Sequence, residues 1–291
     1  MTLSKRHHYI PQFLIKRFAD ESNMLYLYDK EKGAFAKAKR SSKSVFFEMN
    51  RNTLYFEGMP NDSMEKLYAE LDEMFSKDLI KITRSGIITE ETLTSILIMA
   101  SSMKWRLPSN DSLFADKDKE YPYERLPVNI VIKKDDGSDH TEAMNHLLSS
   151  ELFRHTKKLI FPFLPFYDSL NVSEEKLLRV HNNSYVNSNP NITSVLGDVP
   201  LIESDVNNLD DFGNFILPIG NNETFICNDS QRKNVQDITF YLFKDLAMFH
   251  QAQKYVVCKD KEHLEKIIET YAHFQSIGQI EMITRYIFKV A

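Results

Sequence analysis

Two adjacent imidazoles stand near the start of the chain, in the run His7-His8-Tyr9-Ile10-Pro11-Gln12-Phe13-Leu14 and beside the cations Lys5 and Arg6. Neutral imidazole is the commonest metal ligand and the side chain best matched to proton transfer near pH 7. Two residues far along the chain, which no spacing singles out and which belong to motifs compared below with those of a known family, complete a set able to act on phosphate. Arg106 carries a guanidinium that grips phosphate oxygens in a fork, and Asp198 carries a carboxylate that can share a divalent cation with the imidazoles. A metal ion held that way activates water for attack on a phosphodiester. The chemistry expected is metal-dependent phosphoester hydrolysis or nuclease action, with His7, His8, Arg106 and Asp198 catalytic and with His7, His8 and Asp198 as ligands of a divalent metal ion. A structural reading stands beside it. One imidazole then caps the helix that begins near Pro11 while the other is exposed, Arg106 pairs with Asp198, and Pro108 and Pro200 fix turns. Adjacent side chains on a strand or helix point apart, so at most one of the two imidazoles reaches a given site.

Charge is distributed unevenly. The net charge is −5, yet residues 1–51 hold eleven Lys or Arg against five Asp or Glu, which leaves +6 there and −11 on the remaining 240 residues. Such a basic region fits nucleic acid or another phosphate-bearing partner, and it fits equally a basic segment docked on an acidic one of the same molecule. The second functional class is therefore a non-catalytic binding or sensor protein that uses a basic N-terminal surface. His-His-x-x-Pro is also similar to the first part of His-Asn-His nuclease motifs, but no Asn or His follows in a metal-binding register.

Several familiar chemistries are excluded by inspection. The chain has no Gly-x-x-x-x-Gly-Lys-Ser/Thr loop, no Gly-x-Gly-x-x-Gly, no His-Glu-x-x-His and no Gly-x-Ser-x-Gly. Cys227 and Cys258 are too few for a zinc site and read as buried thiols. Glu142 with His146, and Glu151 with His155, lie one helical turn apart and read as solvated helix partners. No apolar run marks a secretory signal or a membrane span, so a cytoplasmic protein with no membrane partner is expected.

The elements that must position these residues follow from hydrophobic period. Residues 24–35 read as a hairpin around Gly33, and Val45–Glu48 and Thr53–Glu57 as further strands. Met64, Leu67, Tyr68, Leu71, Met74, Phe75, Leu79 and Ile82 recur at steps of three and four, which predicts a helix capped by Asp62 or Ser63. A second helix runs from Thr89 to Leu107, where Pro108 stops it, and pairs with the first. Residues 109–127 read as a long exposed loop, Asn129–Lys133 as a strand, and Thr141–Leu159 as a third helix ended by Pro162 and Pro165. Leu177–Val186, Ile192–Leu196, Leu201–Glu203, Phe215–Ile219 and Thr224–Cys227 read as strands. Helices over 230–251 and 260–274 flank a strand at Tyr255–Cys258.

The run from His7 to Phe18, His-His-Tyr-Ile-Pro-Gln-Phe-Leu-Ile-Lys-Arg-Phe, resembles the opening signature of the bacterial family called domain of unknown function 4238. Arg106-Leu107-Pro108 resembles that family's helix end, Gly197-Asp198-Val199-Pro200 its strand followed by Asp-x-Pro, and Leu217-Pro218-Ile219 a later apolar step. Asn234 is a loose match to an Asn that follows. The resemblance implies one family-wide unit over residues 1–291, with a basic motif and hairpin at 1–60, a helical middle at 61–165, and a sheet with two C-terminal helices at 166–291. The fold class expected is α+β, with a central helical layer and a mixed or antiparallel sheet drawn mostly from the C-terminal half. If the imidazoles act chemically, replacing both with Ala leaves the melting temperature within a few degrees of wild type, whereas Phe13→Ala costs about 3–5 kcal/mol by opening a cavity.

Overall fold

Alternating apolar and polar residues in Met24-Leu25-Tyr26-Leu27-Tyr28-Asp29 make strand β2 (Met24–Asp29), which buries Leu25 and turns back at Gly33, φ 62°, into β3 (Ala34–Phe35). A computed structural model describes residues 5–56, 58–126, 128–164, 174–205, 213–229 and 238–291. Glu57, Pro127, Pro165, Asn234 and the helix start expected at 230–237 lie outside the described residues. Ahead of the hairpin come β1 (Arg6–His8) and the short α1 (Gln12–Lys16). Behind it come β4 (Arg40–Ser41), β5 (Phe47–Met49), β6 (Leu54–Phe56) and β7 (Met59–Asn61).

The helical middle begins with α2 (Ser63–Ser85), which buries Met64, Tyr68, Phe75, Leu79 and Ile82 and ends on Gly86 at φ 68°, a left-handed cap that glycine adopts without Cβ penalty. Next is α3 (Glu90–Arg106). Thr89 and Thr92 exchange side-chain to backbone hydrogen bonds in a capping box, and Leu107, held extended by Pro108, ends the helix. Nearly every residue of α3 from Thr92 onward is buried, because α2 covers one side and the next helices the other.

Residues 109–127 depart from the expected loop. They contain α4 (Asp111–Glu120), anchored by Phe114, whose ring is fully buried 5.2 Å from Phe161 and 6.3 Å from Trp105. One buried aromatic on a charged helix leaves too little apolar period to read. The strand expected at Asn129–Lys133 is a single bridge between Lys133 and Asp139. The third helix is two, α5 (Thr141–Leu148) and α6 (Glu151–Ile160), divided because the Ser150 hydroxyl caps α6 by accepting from Phe153 N–H.

The rest of the chain holds α7 (Glu174–Asn182), β8 (Ser184–Ser188), β9 (Leu196–Gly197), β10 (Ile202–Glu203), β11 (Phe215–Gly220) and β12 (Glu223–Cys227). It ends with α8 (Ile238–Gln251), β13 (Tyr255–Cys258), α9 (Lys261–Ser276) and α10 (Ile280–Val290). The expected strand at Leu177–Val186 is thus mostly helix α7, and α10 is an element the period did not announce. Strands β10, β11, β12 and β8 form one antiparallel sheet in that order. A second takes the order β3-β2-β13-β9, with β4 also on β2, so the N-terminal hairpin is completed by a strand more than two hundred residues away. The architecture is α+β, and every named pair is antiparallel. One core cluster joins Ile10, Leu14 and Phe18 to Phe75, Leu97, Phe215, Phe225 and Val257, so all three stretches of the chain share an interior. Among the described residues no helix is long and apolar enough to cross a membrane. Both thiols, Cys227 and Cys258, are free and buried, and burial raises them to about 11 and about 12 respectively.

Candidate functional site

The His-His-x-x-Pro motif is built inward. Pairing of β1 with β5 sets His7 opposite Glu48 and His8 opposite Phe47, and both imidazoles are buried, His7 at 0% exposure. His7 Nδ1 accepts the backbone N–H of Asn52 at 2.7 Å and lies 3.9 Å from Glu65, whose carboxylate also accepts from the Asn52 side chain at 2.8 Å. The His8 ring leans on Phe47 with centroids 5.8 Å apart, and Gln12 Nε2 lies 3.2 Å from its Nδ1. Burial is the main reason the His8 pKa falls to about 4; a hydrogen bond to the Lys43 backbone opposes the fall, and the Arg106 charge adds to it. Neither ring caps α1, whose cap is Pro11.

Arg106 does not pair with Asp198. Its guanidinium makes a fork on Asp72, with contacts of 2.6 and 3.2 Å, lies 4.4 Å over the Tyr68 ring, and donates from Nη2 to the His8 carbonyl at 2.9 Å. Asp198 instead ties down the entry to β13, accepting backbone N–H groups of Gln253, Lys254 and Tyr255 at 2.8, 2.8 and 3.0 Å. Burial pushes its carboxyl upward against the pull of those three bonds. The glycine before it has a separate reason to be there. A Cβ on Gly197 would stand 2.9 Å from Ala252 Cβ and 3.1 Å from the Met248 carbonyl, so glycine lets α8 close on β9. Of the four residues expected to form one catalytic set, His8 and Arg106 touch, His7 acts through Asn52, and Asp198 lines a different cleft. Among the described residues no three His, Cys, Asp or Glu side chains gather as a metal-holding group. His7, His8 and Asp198, the expected ligand set, are not gathered in one place: their side chains serve separate contacts within the fold.

What the motif positions is a cleft of about 210 Å³. The turn after β5 supplies Arg51 and Asn52, α2 supplies Tyr68, the end of α3 supplies Trp105 and Arg106, α4 supplies Asp111, and α6 supplies Glu151, Arg154, His155 and Lys158. Spacing explains the last set, since positions 151, 154, 155 and 158 fall on one face of a helix. Among the described residues that line it, four cations meet two carboxylates. Arg51 clamps Asp111 at 2.6 and 3.1 Å, reaches Glu48 at 2.7 Å, and donates from Nε to the Arg106 carbonyl at 3.2 Å. Lys158 reaches Asp111 at 2.9 Å. Burial raises the Asp111 carboxyl, but the hydrogen bonds from Arg51 and Lys158 outweigh it and hold the group below its ordinary value. Burial lowers Lys158 against the attraction of Asp111. Arg154 meets Glu151 at 3.7 Å, with its side chain 48% exposed. Burial, then the charge of Lys158, lowers the His155 imidazole from its ordinary value. Among the described residues no hydrogen-bond partner meets the buried Arg106 Nε.

A second cleft of about 410 Å³ is lined in part by Tyr9, Phe47, Glu48, Asp198 and Tyr255. Glu48 belongs to this cleft and Asp111 to the other, and one guanidinium, that of Arg51, bonds to both. Sequence reading missed Arg51, Arg154, His155 and Lys158. The i, i+3, i+4, i+7 recurrence along α6 is the signal that was available for three of them; only Glu151 with His155 was read there, as a pair of solvated helix partners. The family model described as "Protein of unknown function (DUF4238)" matches residues 6–262. No curated protein and no solved structure matches the chain.

Proposed function

Because the chain belongs to the family of unknown function matched over residues 6–262, we propose its function from the cleft itself: it binds a phosphate-bearing ligand between Arg51, Arg106, Arg154 and Lys158. The observation that carries this reading is the convergence of four cations, from the turn after β5, from α3 and from α6, on one partly enclosed space. Opposite charges 4 Å apart attract by about 1 kcal/mol in water and about 4 kcal/mol where the effective dielectric is near 20, so the same cations are worth more here than on an open face. The buried Arg106 Nε supports the same ligand, since an unmatched buried donor is unfavourable by about 1–3 kcal/mol and a phosphate oxygen relieves it. Asp111, gripped by Arg51 and Lys158 together, occupies the place of the anion in the free protein. This reading keeps the binding-protein alternative and narrows it from a basic surface to a cleft.

Calorimetric titration with inorganic phosphate and pyrophosphate tests it. Binding is expected to weaken about tenfold or more in Arg154→Ala, whose exposed side chain contributes little to the fold, and to fade as salt rises. Absence of any saturable heat at low salt sinks the proposal. A second reading, phosphoester hydrolysis, is favoured by one observation: His155 lies in the same cleft, half-buried, with no hydrogen bond to its ring among those described, as suits a proton acceptor. His155→Ala is then expected to lower turnover of a chromogenic phosphodiester by about 10²–10⁴-fold while leaving phosphate binding in place. Equal turnover by both proteins leaves binding alone.

A further inference from the structure

We infer that a cavity of about 330 Å³, walled by the N-terminal hairpin and by the segment that leads into β5, binds a small organic anion with an apolar body. It shares no lining residue with the cationic cleft, so the inference is independent of the phosphate reading. The apolar wall comes from Leu27 and Phe35 on the hairpin and from the consecutive residues Val45, Phe46 and Phe47. Consecutive side chains of a regular strand point to opposite faces. The backbone breaks that alternation here: Phe46 stands at φ 55°, a left-handed conformation uncommon for a bulky residue. Its burial and its carbonyl, which accepts the Tyr9 N–H at 3.1 Å, hold it there. Strain of this kind persists only where the surroundings enforce it, and ligand walls are one such place. Leu27, Phe35 and Phe47 are half-buried, which leaves apolar surface for a ligand to cover.

Charge decides the head group. Among the described residues that line the cavity, one acid, Asp29, meets two cations, Lys32 and Arg40. Lys32 holds the acid, with Nζ 2.7 Å from Oδ2 and its backbone N–H donating to Oδ1 at 3.1 Å. Arg40, exposed on β4, has no ion pair among the described residues. A guanidinium beside an apolar wall fits a ligand whose head is anionic and whose body is not, and carboxylate and phosphate heads both answer to it. Size limits the body. About 330 Å³ is at the lower end of the roughly 300–1,000 Å³ of ordinary small-molecule sites, which suits a medium-length chain or a single ring.

Calorimetric titration of the full chain with butanoate, hexanoate and octanoate, each below the concentration at which it aggregates, tests this. Each methylene that enters the apolar wall is expected to tighten binding about fourfold, so octanoate binds far tighter than butanoate. Octanol, alike in body but uncharged, is expected to bind about fivefold more weakly than octanoate. Octyl phosphate carries the other head, and tighter binding of either anion than of octanol supports the inference. In Arg40→Gln the advantage of octanoate over octanol disappears while octanol binds as before, and in Arg40→Glu octylamine overtakes octanoate; both changes fall at an exposed position. Absence of saturable heat with octanoate and octyl phosphate overturns the site. Butanoate binding as well as octanoate overturns the apolar wall, and octanol matching both anions overturns the charged head. If Arg154→Ala weakens octanoate and Arg40→Gln does not, the acid sits in the cationic cleft, and this inference falls while the phosphate reading stands.

Discussion

Replacing His7 with Ala separates a structural imidazole from a chemical one. The ring is fully buried and its Nδ1 accepts the Asn52 N–H at 2.7 Å, so the substitution removes a buried acceptor and most of a buried ring at once. An orphaned buried N–H is unfavourable by about 1–3 kcal/mol. The vacated space adds about 2 kcal/mol, near the low end for large-to-small changes in cores because an imidazole is smaller than the residues that define that range. His7→Ala should therefore lose about 3–5 kcal/mol of unfolding free energy, a large part of a typical total of 5–15 kcal/mol. His7→Asn is the informative partner, because its Oδ1 stands at the same number of bonds from Cβ as Nδ1 and keeps the acceptor; about half the loss is expected. Urea unfolding read by tryptophan fluorescence measures both, through Trp105 in the cleft wall. The reasoning is refuted if His7→Ala unfolds within 1 kcal/mol of wild type, or if His7→Asn is as damaged as His7→Ala.

Two other expectations concern the neighbours of His7. The His8 pKa, lowered to about 4 by burial, lies below the unfolded value of 6.5, so above pH 6.5 both states are neutral and the contribution is complete. As pH falls from 6.5 to 4 the unfolded state takes up a proton that the folded state refuses, and stability drops by about 1.4 kcal/mol per unit, roughly 3 kcal/mol in all; urea midpoints over this range, compared with His8→Gln, check it, and parallel pH profiles for the two proteins count against it. Gly197→Ala should destabilise by about 1–3 kcal/mol, because the added Cβ meets Ala252 at 2.9 Å and backbone at 3.1 Å and the helix must back away; thermal unfolding measures it, and an unchanged melting temperature contradicts it.

The long amphipathic helices were legible because their period is long and their ends carry strong signals: Thr89 caps α3, and Pro108 stops it. The hairpin at Gly33 was legible for the same local reason. What escaped is what depends on few residues or on distant ones. Helix α4 hangs on Phe114, and the split between α5 and α6 rests on one serine hydroxyl. The four expected site residues include one, Arg106, that lines the cationic cleft. His7 and His8 drew notice as unusual, and their burial reverses the expectation that both can be removed at little effect on stability. They are partnered within the fold, holding Asn52 and Arg106 where the cleft needs them. Arg51, Arg154 and Lys158 were not singled out, because nothing local marks residues that meet only after the chain has folded.

Pairing of β2 with β13 joins Tyr26 to Cys258, and it has a consequence for the order in which the molecule can be made. Chain growth proceeds at roughly 5–20 residues per second. The hairpin must therefore wait on the order of ten to fifty seconds at the ribosome for the strand that covers its open edge, exposed meanwhile to other strands and to chaperones. Contacts this distant close slowly even once the whole chain is available. The basic segment is thus made long before the strand that completes its sheet, and a growing chain displays its cations well before it owns a cleft to put them in.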